Sequence, residues 1–129
     1  MGDVKHAQSF RELRVYQKAK NVARQVFELT KDFPQDERYS LTDQVRRSSR
    51  SVGAQIAEAW AKRQYRKHFI SKLTDADGEQ HETQHWVDSA RDCAYITDQQ
   101  RDALISDLAE VGRMLGSMIQ KADSFCTPN

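Results

Sequence analysis

Apolar residues recur every three or four positions along most of the chain, and no stretch shows the strict alternation of a half-buried strand. The pattern predicts helices only, in keeping with two prolines and five glycines in 129 residues. Leu13, Tyr16, Ala19, Ala23, Val26, Phe27 and Thr30 fall on one face of a first helix, over 11–32, that opens on a Ser9/Glu12 capping-box pattern and stops before Phe33 and Pro34. A second helix, 41–63, starts behind Ser40 and Asp43 and aligns Leu41, Val45, Ser48, Val52, Ile56 and Ala59. A third, 65–95, carries Phe69, Leu73, Ala76, Gln80, Thr83, Val87, Ala90 and Ala94 at alternating steps of four and three, a heptad seam. Its two polar members either meet Gln44, Ser48 and Gln55 of the second helix in a buried network or touch solvent. Thr97 or Asp98 caps a fourth helix, 98–124, striped by Ile105, Leu108, Val111, Gly112, Leu115, Met118, Ile119 and Ala122. The tail from Cys126 to Asn129 is expected to fray.

Short connections between such helices make neighbours antiparallel. The expected fold is all-α: one domain, 1–129, forming an up-down-up-down four-helix bundle. With 30% charged and 38% apolar residues, the stripes are narrow for a thick core, and self-association would cover what one chain leaves open. No segment is apolar enough to cross a membrane, and Met1 to His6 lack the apolar run of a signal peptide, so the expected location is cytoplasmic. Cys93 and Cys126 are too few and too far apart for a disulfide framework or a thiolate metal site; both are expected reduced, with Cys93 packed in a helix.

A net charge of +1 conceals a polar molecule. Residues 44–73 hold eight Lys/Arg and one acid, whereas residues 74–129 hold four Lys/Arg and eleven acids. Arg46, Arg47 and Arg50 sit together on the second helix, and Lys62, Arg63, Arg66, Lys67 and Lys72 continue past the junction with the third. Phosphate backbones bind such patches by charge neutralisation, and Tyr65 and His68 could stack on unpaired bases. The same run also reads as a solvated face, or as one half of inter-subunit salt bridges to Asp75, Asp77 and Glu79. Glu58, the single acid of the block, would pair with Arg46, Arg47 or Lys62. The small residues Ser48, Ser49, Ser51, Gly53, Ala54, Ala57, Ala59 and Ala61 beside these cations let another helix approach closely.

His81, Glu82 and His85 spell H-E-x-x-H, which on a helix places two imidazoles on one face as in zinc hydrolases. The surrounding sequence supplies no third histidine, and nothing singles out Glu110 as a third ligand. Glu82 and His85 also form one half of a di-iron E-x-x-H pattern whose second copy is missing. Both imidazoles therefore read as lying off the seam, with no metal, and Met114 and Met118 as core filling. No P-loop, zinc-finger or RNA-recognition signature occurs, so neither a cofactor nor a catalytic residue is expected.

The runs Phe10 to Ala19, Phe33 to Leu41, Gln44 to Ser48 and Ser51 to Ala59 resemble a bacterial four-helix-bundle family. It includes proteins encoded in 23S ribosomal RNA intervening sequences and is similar to the accessory variability determinant of diversity-generating retroelements. The resemblance spans roughly residues 8–120. It implies a ring-shaped homopentamer without catalytic activity, whose relatives associate with nucleic acid and a reverse transcriptase. Gln44, Arg46, Arg47, Ile56, Ala57 and Glu58 match the family's central helix, and Phe69, Ala76, Glu82, Thr83 and Gln84 its third. Gln55 and Ala59 stand where many members have Asn and Gly, and Asp77, Gly78 and Glu79 replace a common Gly-Ser element, the mark of a subgroup whose partner need not be the retroelement's. The functional expectation is a non-enzymatic homo-oligomer with a basic RNA- or DNA-binding surface; the alternative is a purely structural or protein-interaction assembly without nucleic acid, and a third, less favoured one is a zinc-dependent hydrolase through His81, Glu82 and His85.

Overall fold

The computed structural model describes residues 7–126; the readings of Met1 to His6 and of the tail beyond Cys126 lie outside them. Four long helices dominate: α1 (Arg14–Thr30), α2 (Leu41–Ala61), α3 (Arg66–Asp92) and α4 (Asp98–Gln120). Single 3-10 turns at Phe10–Glu12 and Gln35–Glu37 and a last helical turn, α5 (Ala122–Phe125), complete the described residues, which include no strand. Each long helix packs on its neighbours in sequence, and α4 packs on α1. The pairs Thr30–Arg46 across α1/α2, Ser48–Thr83 and Glu58–Lys72 across α2/α3, and Asp88–Arg101 and Arg66–Asp123 across α3 and the α4–α5 segment run in opposite chain directions. The bundle is therefore antiparallel, up-down-up-down.

The α2 stripe is buried throughout, and so is the α3 seam from Phe69 to Ala90. In α1 the buried positions are Val15, Ala19, Val22, Val26 and Thr30. The face through Tyr16, Ala23 and Phe27 is only half-buried, a rotation of the expected stripe by about one residue. Both faces of α1 are apolar; the β-branched one points at the core, and the aromatic one opens on a groove beside α2. In α4, Leu104 takes the buried place expected for Ile105.

Core side chains form two clusters. One, from Leu13 and Val15 through Val52, Ile56, Phe69 and Leu73 to Leu115, fills the end near the α2–α3 junction; the other, with Val22, Val26, Leu41, Val45, Val87 and Leu108, fills the opposite end. Between them lies a polar layer. Ser48 and Thr83 join their hydroxyls at 2.9 Å across α2/α3. Gln80 turns away from α2: its amide lies where a side chain on Gly112 of α4 would sit, 2.7 Å from that Cβ position. Gln80 donates to Asp77 Oδ1 at 2.9 Å and accepts from Gln84 at 2.8 Å. Gln44 is exposed and takes no part, and Gln55 Oε1 is buried without a hydrogen-bond partner among the described residues. A buried hydroxyl pair and amide that meet partners in only one register disfavour sliding of the seam.

Helix ends explain the remaining differences from expectation. Ser9 Oγ accepts from Arg11 N–H at 3.2 Å and Glu12 from Gln8 N–H at 3.1 Å, so these residues close the first 3-10 turn and extended Leu13 delays α1 to Arg14. Ser40 makes no side-chain cap; Glu37 accepts from Leu41 N–H at 3.2 Å instead. The α3 helix ends at Asp92 rather than 95, because Ala94 adopts a left-handed φ of 62° while Tyr95 N–H bonds Ala90 and Ala94 N–H bonds Arg91. That is a Schellman ending with alanine in the place glycine usually holds. Cys93 is consequently the exposed C-cap of α3, not packed within it. Thr97 and Gln100 form a full capping box at the start of α4.

Candidate functional site

The cations of residues 44–73 divide into two sets. Arg46, Arg47 and Arg50 lie in the half of α2 that precedes Gly53, whereas Lys62, Arg63, Arg66 and Lys67 gather where α2 turns into α3. Helical rise puts roughly 22 Å between Arg47 and Lys62. Within the first set, Arg46 is tied inward: its Nε donates to the buried Thr30 hydroxyl at 2.7 Å, and its guanidinium lies 4.7 Å from the Phe27 ring centre. It therefore joins α2 to α1. Arg50 lies 5.7 Å from the same ring and is exposed, and Arg47 is 3.8 Å from Asp43, a loose surface pair of little energetic weight.

The junction is built differently. Residues after Ala61 leave helical geometry, Lys62 as C-cap (φ −102°, ψ 18°), and α3 restarts behind an extended Tyr65. Tyr65 N–H bonds the Lys62 carbonyl at 2.9 Å, closing the turn. Arg63 folds back on α2, with its guanidinium 3.6 Å from the Trp60 ring centre and its Nε donating to the Trp60 carbonyl at 2.8 Å. Tyr65 and His68 are exposed, their ring centres 5.8 Å apart. Arg66 pairs with Asp123 at 2.8 Å, and Lys72 with Glu58 at 3.0 Å. Lys72 is thus the partner of Glu58, in place of the expected Arg46, Arg47 or Lys62: Lys62 falls outside the helix, and Lys72 reaches across from α3. The first turn of α3 carries no carboxylate. Phe69, fully buried just inside, stacks on Phe125 at 5.7 Å and anchors the turn to the core. Cys126 lies close by, and burial pushes its thiol up from the ordinary range.

Asp88, Asp98, Asp102, Asp107 and Glu110 of the acidic half are engaged away from the basic block. Asp107 and Glu110 hold Lys18 of α1 at 3.3 and 3.0 Å, and these bonds, that to Glu110 foremost, raise the lysine's pKa. At the α3–α4 junction Arg91 pairs with Asp98, whose carboxyl it holds below the usual range, and Arg101 bridges Asp88 at 2.8 Å and Asp102 at 2.9 Å. Tyr95 donates to Glu37 at 2.8 Å, which fastens this turn to the start of α2. Arg66–Asp123 is the one ion pair among the described residues that joins the basic block to the acidic half.

The H-E-x-x-H residues do not converge. His81 is exposed, its Nδ1 2.9 Å from the Asp77 carbonyl oxygen and 3.6 Å from that residue's carboxylate. Glu82 accepts from the Trp86 indole at 3.0 Å, and the exposed His85 ring meets Trp86 edge to face. Glu110 is held by Lys18 on the α1/α4 side. Among the described residues no three His, Cys, Asp or Glu side chains come together as a metal site. Met118 is buried and Met114 packs against the same core cluster, as filling.

Two grooves flank α2. One, of about 500 Å³, runs between α1 and α2 over Tyr16, Ala23, Phe27, Gly53, Ala54 and Ala57, with Lys20, Arg24 and Arg50 at its rim. The other, of about 640 Å³, lies on the α3 side, where Arg47 and Arg50 face Glu79 and Glu82. Two features were not foreseen from sequence: the Trp60–Arg63 stack, whose signal is an aromatic and a cation three residues apart at a helix end, and the Arg46–Thr30 tether, which spans two helices and leaves no local signal. No described helix is long and apolar enough to cross a membrane.

The family model described as 23S rRNA-intervening sequence protein matches residues 11–117. A crystal structure from Bacteroides thetaiotaomicron VPI-5482, described as a protein with unknown function from the S23 ribosomal protein family, superposes with a TM-score of 0.74 at 32% identity, over 82% of this chain and 98% of that one. No curated protein matches.

Proposed function

The chain belongs to the 23S rRNA-intervening sequence protein family, and from that premise we propose that it is a non-enzymatic homo-oligomeric bundle that binds RNA or DNA through its basic surface. One observation carries this reading: Arg50, Lys62, Arg63 and Lys67 have no carboxylate within ion-pair distance among the described residues, while Asp88, Asp98, Asp102, Asp107, Glu110 and Asp123 of the other half are engaged by Lys18, Arg66, Arg91 and Arg101. Unpaired cations with exposed aromatic side chains between them suit a phosphate backbone. Arg47, Arg50, Lys62 and Lys67 are the residues that contribute charge, and Arg46 supports α2 through Thr30. The protein acts in the cytoplasm, where such a partner is found.

The ring-shaped homo-oligomer, a pentamer by family resemblance, belongs to the same proposal. The half-open α1–α2 groove supports it, since small residues there admit a neighbouring helix and its aromatic floor is incompletely covered within one chain. A second reading, in which basic and acidic halves pair between subunits or recruit another protein, is favoured by the opposed charges of the α2–α3 groove.

Titrating labelled RNA and DNA against the protein over a range of salt decides between them. Binding should weaken with a log-log slope of roughly −0.7 to −0.9 per phosphate neutralised, and glutamate at Arg50, Lys62 and Lys67 together should abolish it while the oligomer persists in sizing experiments. Loss of the oligomer with no binding at any salt would favour subunit pairing.

A further inference from the structure

Resting on the nucleic-acid reading above, we propose that the α2–α3 junction is a stacking platform for unpaired bases, so that the nucleic acid gripped at this end is single-stranded. Bases within a duplex cover each other's faces, and a protein ring can stack only on a base that is free. Tyr65 is 57% exposed, and only Tyr39 among the described residues is another large apolar side chain so uncovered. The neighbour of Tyr65 is a second exposed ring, His68, with centroids 5.8 Å apart and planes inclined by 47°. A flat guanidinium, that of Arg63, is held against Trp60 by the ring contact at 3.6 Å and the carbonyl bond at 2.8 Å, so it is oriented before any ligand arrives. Guanidinium planes stack on bases as aromatic rings do. Lys62 and Lys67 flank these groups with no ion-pair partner among the described residues and are placed to take the phosphates between stacked bases.

The other exposed aromatic shows what this arrangement adds. Tyr39 is 82% exposed with Arg38 5.3 Å from its ring centre, yet Asp36, Glu37 and Asp43 flank it in sequence and would repel a phosphate chain. Exposed ring, oriented guanidinium and unpaired lysines occur together only at the α2–α3 turn among the described residues. The turn itself is fixed, since Phe69 and Phe125 hold it on the core and Tyr65 N–H closes it on Lys62.

The test compares the whole protein's affinity for a labelled single strand of about 12 nucleotides, within the span such sites cover, and for a duplex of equal length, by fluorescence anisotropy. The single strand should bind more tightly. Tyr65→Ala should weaken it by roughly 5- to 100-fold, with duplex binding and the salt slope unchanged, and Tyr65→Phe should restore it. Lys62→Glu with Lys67→Glu should weaken both ligands. Equal affinity for both forms, or a Tyr65→Ala variant that binds the single strand as the parent does, overturns the stacking platform while leaving charge-driven binding in place. Binding of neither form overturns both. Tyr65 is exposed, so the circular dichroism and thermal midpoint of Tyr65→Ala should match the parent, and a variant that fails this is replaced by His68→Ala, for which a loss confined to the single strand is again required.

Discussion

The two ends of α3, roughly 40 Å apart, are both helix-to-helix turns, and they treat their charges in opposite ways. At the α3–α4 end Arg91 and Arg101 are matched by Asp98, Asp88 and Asp102, Tyr95 is bonded to Glu37, and Thr97 and Gln100 cap the next helix. At the α2–α3 end Lys62 and Lys67 are unmatched among the described residues, Arg63 lies on Trp60, and α3 begins without a side-chain cap. The α3–α4 turn sets Asp88, Asp92, Asp98 and Asp102 against Arg91 and Arg101 and matches both cations; the α2–α3 turn holds Lys62, Arg63, Arg66 and Lys67, of which only Arg66, through Asp123, has a carboxylate partner among the described residues. Surplus charge that a fold leaves open against its own interest in solvation and repulsion is where an anionic partner finds most to gain.

The largest perturbation should come from undoing the anchor beneath the open end. Phe69→Ala removes a fully buried ring and its contact with Phe125, and should cost about 3–5 kcal/mol of stability in chemical denaturation. A loss below ~1 kcal/mol would mean the open turn is not held by the core at all.

Next in size is the backbone at the closed end. Ala94 holds a left-handed conformation that glycine adopts freely, so Ala94→Gly should stabilise by about 0.5–1 kcal/mol, read as a higher unfolding midpoint. Smaller again is the contrast in charge removal. Arg101→Ala strips the partner from two carboxylates and should lower the thermal midpoint, whereas Lys67→Ala, with no ion pair to lose, should leave it level or raise it slightly. Equal losses at both sites would erase the distinction between the ends.

The smallest effect is confined to alkaline pH. Bonding to Glu37, with burial adding to it, pushes the Tyr95 phenol up to about 12. Because the folded value lies above the unfolded one, near 10, the stability this bond contributes is complete below pH 10 and fades as pH rises through about 12. An ultraviolet phenolate titration should show a late step that Tyr95→Phe removes.

Much of the fold could be read from residue spacing. The α2 stripe and the α3 seam needed only the helical repeat, because each has one apolar face. In α1 the two adjacent apolar faces compete, and Tyr16 and Phe27 drew the expected stripe toward the aromatic side when Val15 and Val22 carry the burial. Spacing left Gln80 and Thr83 between a network with Gln44, Ser48 and Gln55 and contact with solvent; only the fold shows that Thr83 meets Ser48 and that Gln80 turns to α4, since the space that receives it is the missing side chain of Gly112 on another helix. The basic residues were visible as a block; their division was not, because it depends on Thr30, Phe27, Trp60 and Asp123, which reach the arginines through tertiary structure or a helix end. Cys93 misled for a similar reason: three more residues of apolar-compatible sequence hid the left-handed turn at Ala94.

The central claim is that the α2–α3 end is open to an anionic chain and the α3–α4 end is not. Hydrogen–deuterium exchange with and without a saturating single-stranded oligonucleotide tests it most directly. Added protection should fall on the peptides covering Trp60 to Phe69, with exchange from Asp88 to Asp102 unchanged; protection centred on the α3–α4 turn, or none anywhere, would contradict the account.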